Sequence, residues 1–214
     1  IKILIPYPPG GPSDIVGRLL GQALSESLGK PVIIESKPGA AANIGMQYVA
    51  RSSPDGYTLL LVSSNLVINP NLYANPGYDA IKDFSPIIMP AGSPNLLVVH
   101  PSFPAKNIQE FLALIKANPG KYDFASPGGG SGPHLSAELL KLKLNLNMQH
   151  IPFNGGGPAL QAVLGNQVPI AFSTLPPAIA QVKSGKLVGI AFTSSSRSPV
   201  LPDIPTLVES GVPE

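Results

Sequence analysis

Eight short apolar runs, each breaking into a turn rich in Gly, Pro or Ser, constrain what this chain can fold into. They occupy residues 2–6, 32–35, 58–63, 96–100, 122–125, 149–152, 169–173 and 187–193. Several are continuous and β-rich, the pattern of strands buried on both faces. Helical patterns lie between them. In the first, Ser13 or Asp14 is placed to cap, Ile15, Val16, Leu19, Leu20, Ala23, Leu24 and Leu28 form one apolar stripe, and Gly29 ends it. Others are predicted over 43–51, 108–117, 135–142, 158–164 and 177–183. This alternation predicts a parallel α/β architecture.

The opening stretch IPYPPGGPSDIVGRLL turns from a strand through two prolines and two glycines straight into a helix. Glycine lets backbone N–H groups approach a ligand closely, and a helix N-terminus favours negative charge. FASPGGGSGPHLSAELLKL, residues 124–142, repeats the device: strand, Gly-rich loop, helix. The chain thus divides into a first unit, 1–100, and a second set of strands and helices beginning after LLVVHPSFPAKN. One such loop in each unit, at the carboxyl end of a sheet where α/β folds bind ligands, predicts a ligand cleft between two lobes.

Charge and composition narrow the ligand. Only 12% of residues are charged, the net charge is +2 and no basic tract occurs, which disfavours nucleic acid and anionic membranes as partners. The 22 Gly and 26 Pro are scattered between apolar runs as loop punctuation. The absence of Cys excludes disulfides, thiol catalysis and thiolate metal sites, but does not fix the compartment. No apolar run approaches the roughly 20 residues of a membrane span. A start on a strand, without Met, leaves a mature exported chain and a trimmed cytosolic one equally open on these grounds.

The motifs favour binding over catalysis. GGPSD lacks the Lys of a P-loop, and neither glycine run fits G-x-G-x-x-G with an acidic partner about 20 residues on. Around Ser131 the spacing G-x-S-x-G is not met, so Ser126 and Ser131 read as hydroxyl donors. His100, His134 and His150 are far apart in sequence and lack the helical spacing of a metal pair, so no metal and no cofactor is expected. No acid–base carboxylate pair declares itself. What remains is a set of polar or Gly-rich turns at strand ends: Tyr7, Pro9, Gly10, Gly11, Ser13 and Asp14; Ser63 and Ser64; Ser126, Gly128, Gly129, Gly130, Ser131 and His134; Phe153, Asn154 and Gly155; and Ser173. Neutral donors of this kind hold a small carboxylate and do little chemistry.

PYPPGGPSDIVGRLLGQALSESLGKPVIIESKPGAAANIG, SSPDGYTLLL, SPGGGSGPHLSAEL, PFNGGGPALQAVLGNQV and SSSRSPVLPDIPTLVESG resemble the Bug-type solute-binding proteins of tripartite tricarboxylate transporters, in the family's order across essentially the whole chain. The resemblance implies a type II periplasmic-binding-protein fold, α/β and two-lobed, closing around a carboxylate held by main-chain amides and hydroxyls of the two Gly-rich loops. It implies a monomeric, non-enzymatic protein of the bacterial periplasm, its signal peptide removed, whose partners are a small carboxylate and membrane transporter subunits. Family members that bind amino acids resemble one another in an acidic residue at the FD turn; here the turn reads Phe172–Ser173, so a mono- or dicarboxylate is expected, with Tyr7 and Phe153 as walls for an aromatic one. Family chains continue past ESGVP through a Trp-containing segment. The resemblance therefore implies a first lobe, 1–100, completed by 191–214 and by a further C-terminal segment, with 101–190 as the second lobe. Two rivals share this general scaffold: the effector-binding domain of a transcription regulator, and a transferase. The first requires a DNA-binding segment, the second charged side chains converging on the cleft.

Overall fold

The first strand, β1 (Lys2–Ile5), is buried from Ile3 to Ile5 and takes a parallel neighbour on each side. In the computed structural model, which describes residues 1–212, those neighbours are β2 (Ile33–Ser36) and β3 (Thr58–Leu60), in the order β2-β1-β3. The helices of this unit, Ile1–Gly92, are α1 (Pro12–Leu28), α2 (Asn43–Ala50) and α3 (Asn65–Leu72).

The face of α1 that meets the sheet is not the stripe the sequence predicts. Its buried residues are Asp14, Gly17 and Gly21, whereas Ile15, Leu19 and Leu28 are exposed. A Cβ at Gly17 would lie 2.5 Å from Ile5 Cδ1, and one at Gly21 would lie 2.8 Å from Ile34 Cδ1. Two glycines one turn apart therefore let the helix settle onto β1 and β2 so closely that any side chain there would push Ile5 and Ile34 aside. Ser13 and Asp14 do not cap: Gly11 is the N-cap, and Pro12 occupies the first helical position, where a missing N–H costs nothing. Apolar side chains at Ile81, Ile87, Ile88 and Met89 are exposed.

The second unit, from Ser93, is built on a five-stranded sheet of β4 (Asn95–Val99), β5 (Asp123–Ser126), β6 (Gln149–Pro152), β7 (Ile170–Thr174) and β8 (Val188–Phe192), in the order β6-β5-β7-β4-β8. The expectation of all-parallel pairing fails at one strand. β5 pairs in parallel with β6 and β7, but β4 runs antiparallel to both β7 and β8. Side chains alternate across this sheet: Leu97, Val99, Phe124 and Phe172 pack on one side with α4 (Ile108–Ala117) and α5 (Gly132–Leu144). Leu96, Val98, Ala125 and Ala171 pack on the other with α6 (Gly156–Leu164) and α7 (Leu175–Lys183). Helices on both faces are why β4 reads as an unbroken apolar run.

The boundary between the units falls at Gly92/Ser93 rather than at residue 100, because β4 pairs with β7 and β8. Residues 191–212 pack within the second unit. Phe192 N donates to Pro205 O (2.9 Å), Leu207 N donates to Phe192 O (2.8 Å), and Leu207 and Val212 join the core beneath β4. The remainder of that stretch, Pro213 and Glu214, lies outside the described residues.

Candidate functional site

β1 ends at Ile5 and delivers the chain into Pro6-Tyr7-Pro8-Pro9-Gly10-Gly11, where Gly10 takes φ +83°. Asp14, one turn into α1, reaches back to this loop: its Oδ2 accepts from Gly10 N (3.0 Å) and from Arg18 Nε (3.0 Å). Those two donors, the Arg18 guanidinium first, hold the Asp14 carboxyl below the usual carboxylate range, while its Oδ1 is buried without a partner. Asp14 and Arg18 neutralise one another. Among the described residues, the N–H groups of Gly11 and Ser13 pair with nothing. They are free donors at the positive end of a 17-residue helix.

Tyr7 fixes the start of this loop to the end of β3. Its hydroxyl lies 2.6 Å from Ser63 Oγ, accepts from Ser63 N (3.2 Å) and donates to Asn65 Oδ1 (3.1 Å). Burial raises the Tyr7 hydroxyl's pKa, against the Ser63 hydrogen bonds, so the phenol stays protonated. Ser64 stands beside Ser63 as the N-cap of α3 without a side-chain cap bond. Behind them, the buried Asn69 donates to Ala41 O (2.8 Å) and Asn43 Oδ1 (2.8 Å), tying down Ala40, Ala41 and Ala42, all at positive φ.

In the second unit, β5 ends at Ser126 and leads through Pro127-Gly128-Gly129-Gly130 to Ser131, the N-cap of α5. Gly128 (φ +132°) and Gly130 (φ +76°) take backbone conformations that side chains disfavour, and a Cβ on Gly128 would press on Phe153 O at 3.2 Å. The hydroxyls of Ser126 and Ser131 are engaged inside the loop. Ser131 Oγ donates to Gly128 O (2.7 Å) and accepts from His134 N (3.3 Å). Ser126 Oγ lies 2.6 Å from His150 Nε2 and accepts from Gly128 N (3.2 Å). Gly130 N donates to His134 Nδ1 (3.1 Å). Among the described residues this leaves Gly129 N and Gly132 N without partners, again at a helix start.

The β6–α6 turn is stitched alongside: Phe153 N donates to Ser126 O and Gly155 N to Pro127 O, both at 3.0 Å, bringing Phe153, Asn154 and Gly155 next to the second loop. At the end of β7, Ser173 is buried and donates to Thr174 O (3.0 Å). The candidates of the first unit thus gather near the end of β1, and those of the second near the end of β5, except Ser173, which lies at the end of β7.

His150 and Arg18 were not candidates. Arg18 was readable, four residues after Asp14 on a helix. His150 was not: it stacks on His134 with ring centroids 4.0 Å apart, although the two are sixteen residues apart in sequence, because β6 pairs His150 with Phe124 beside the start of α5. Burial, with His134 next, pushes the His150 ring down to about 4, and burial also lowers His134, so both are neutral near pH 7.

The family description "Tripartite tricarboxylate transporter family receptor" matches residues 16–214. The chain belongs to this receptor family. Members of the family are binding proteins, not enzymes. Among curated relatives of this receptor chain, BugT of Bordetella pertussis is 37% identical over 216 residues, covering 100% of this chain and 66% of BugT. The chain spans about two thirds of the length of the curated relatives it matches, 65% and 66% for the first two. Among solved structures, the periplasmic binding protein BugD is 37% identical with a TM-score of 0.91, the match covering 99% of this chain and 71% of BugD. Rpa4515 of R. palustris, solved with adipate, is 31% identical with a TM-score of 0.96, covering 100% of this chain and 72% of that protein. The receptor's two units thus carry the α/β fold of periplasmic binding proteins.

Proposed function

We propose that this receptor chain takes a small carboxylate, best a dicarboxylate, in the periplasm and hands it, as a monomer, to the membrane subunits of a tripartite tricarboxylate transporter. The observation that carries this reading is the pair of similar seats. Each unit presents two unpaired backbone N–H groups at a helix start, Gly11 and Ser13 in one, Gly129 and Gly132 in the other. A carboxylate has two oxygens to receive such donors. Neutral dipolar donors bind an anion without burying a counter-charge.

The adipate in Rpa4515 supports the dicarboxylate class. So does Ser173, which puts no acid at the end of β7 to compensate an ammonium group. Tyr7 and Phe153, each beside one seat, are the candidate walls for an aromatic carboxylate.

A thermal-shift screen against adipate, succinate, malate, benzoate, glutamate and ATP tests this. A ligand at a hundred times its Kd stabilises by about 2.7 kcal/mol, roughly 5–10 °C in Tm for a chain of this size. A shift with a dicarboxylate is expected. A shift with ATP alone, or with nothing in the panel, overturns the reading.

A further inference from the structure

The second loop is held from behind by two imidazoles that bear directly on the peptide groups forming it. Gly130 N donates to His134 Nδ1, so Nδ1 carries the lone pair and the ring proton sits on Nε2. His150, stacked on His134 at 4.0 Å and 26°, reaches with Nε2 to Ser126 Oγ (2.6 Å), which itself accepts from Gly128 N. On the far side, Phe124 stacks on His150 at 5.0 Å. Both left-handed glycines of the loop are therefore anchored through one imidazole or the other. The charged groups around the pair are both on α5: Glu138, whose Oε1 is 3.9 Å from His134 Nε2, and Lys141, 2.8 Å from Glu138 and 5.5 Å from the Phe124 ring. From β5 and β6 the pair meets Phe124, Ser126 and its own partner ring, and no charge among the described residues.

We propose that His134 and His150 are positioning residues, a stacked neutral pair that holds the second loop in its anion-taking shape, and that acid releases the loop by protonating the pair. A proton on His134 Nδ1 removes the acceptor that Gly130 N has among the described residues. Two cationic rings at 4.0 Å repel one another with only Glu138 to offset them. Burial keeps both rings uncharged through the neutral range, and at His150 repulsion from His134 adds to it. The ligand consequence rests on the loop being a carboxylate seat; the conformational one does not.

The two are tested separately. Nitrogen-15 NMR of the ligand-free protein, followed from pH 8 to 4, reads ring tautomers and the Gly128, Gly130 and Ser131 amides together. An unprotonated Nδ1 on His134 is expected, with the loop amides shifting in step with the first ring protonation. His134→Asn keeps an acceptor near the Nδ1 position without titrating, so it should hold the Gly130 amide shift flat over the same range. His134→Ala should release that amide at every pH. Loop amides that stay still while the rings titrate, or a His134→Asn profile like the native one, overturn the proposal whatever the ligand proves to be. In the binding arm, adipate affinity of the native chain should fall up to tenfold per pH unit below the ring pKa, beyond the fall shared by His134→Asn. A parallel fall in both overturns the ligand consequence alone. Absence of adipate binding at pH 8 counts against the seat, not the pair.

Discussion

The two Gly-rich loops solve the same problem with different chemistry. In the first, a carboxylate inside the helix pulls the loop into shape: Asp14 holds Gly10 N and is itself balanced by Arg18. In the second, no formal charge is used, and Gly128 and Gly130 are held by the Ser126 hydroxyl and the His134 ring. What each loop leaves over is the same, a pair of unpaired N–H groups at a helix start. The difference lies in what each tolerates. A charge-held loop responds to salt and to loss of a counter-ion, whereas an imidazole-held loop responds to mild acid.

The largest effect should come from the glycine geometry, and it separates the loops. Gly128→Val places a β-branched residue at φ +132° and forces its Cβ against Phe153 O at 3.2 Å. Gly10→Val meets the same kind of backbone penalty at φ +83° but finds open space. A left-handed conformation costs an L-residue about 1–2 kcal/mol, so both variants should lose roughly tenfold in dicarboxylate affinity, with Gly128→Val the worse. Calorimetric titration decides it, and equal losses would show that the Phe153 contact yields.

Next in size is the charge-held loop. Asp14→Ala leaves Gly10 N unpaired and Arg18 without its carboxylate, and loss of such a partner costs about 1–3 kcal/mol. Asp14→Asn, which keeps an acceptor, should cost less. Urea unfolding of both variants measures the gap, and no gap would mean that Asp14 acts through charge alone.

Acid should then tell the loops apart. For His150, whose native pKa is pushed down to about 4, the unfolded chain binds a proton near the ordinary value of about 6.5 while the folded chain does not. The stability contribution is complete above that value and is lost progressively as pH falls from about 6.5 toward 4. Asp14, with a lowered pKa, contributes above the ordinary carboxylate range and is lost only at lower pH. His150→Gln should therefore flatten the Tm profile between pH 6.5 and 4, whereas Asp14→Asn should change it only below that window.

Most of this architecture was legible because its signals are local. Among the described residues, all eight strands follow from apolar runs, and six of the seven α-helices from periodicity. The missed helix, α3, contains Pro70 and buries Asn65 and Asn69 where a periodic pattern would place apolar residues. The antiparallel course of β4 could not be read, since a strand covered on both faces looks the same in either direction. The buried face of α1 was misassigned because glycines, which add nothing to an apolar stripe, make the close contact. Both Gly-rich loops were visible as glycine runs. Their internal wiring was not, because Tyr7 meets Ser63 and His134 meets His150 only through strand pairing.

The smallest expected effect tests how far the charge-held loop depends on its counter-ion. Arg18 is largely exposed while Asp14 is buried, so the ion pair has one end in water. Exposed pairs contribute little and are screened by salt. Arg18→Ala should therefore lower Tm by a few degrees at most at low ionic strength, and the deficit should shrink in 1 M NaCl. Gly10 N keeps its Asp14 acceptor in this variant, so dicarboxylate affinity should change little. A large affinity loss would instead mean that the Arg18 charge itself reaches the ligand, and the first seat would no longer be a purely dipolar one.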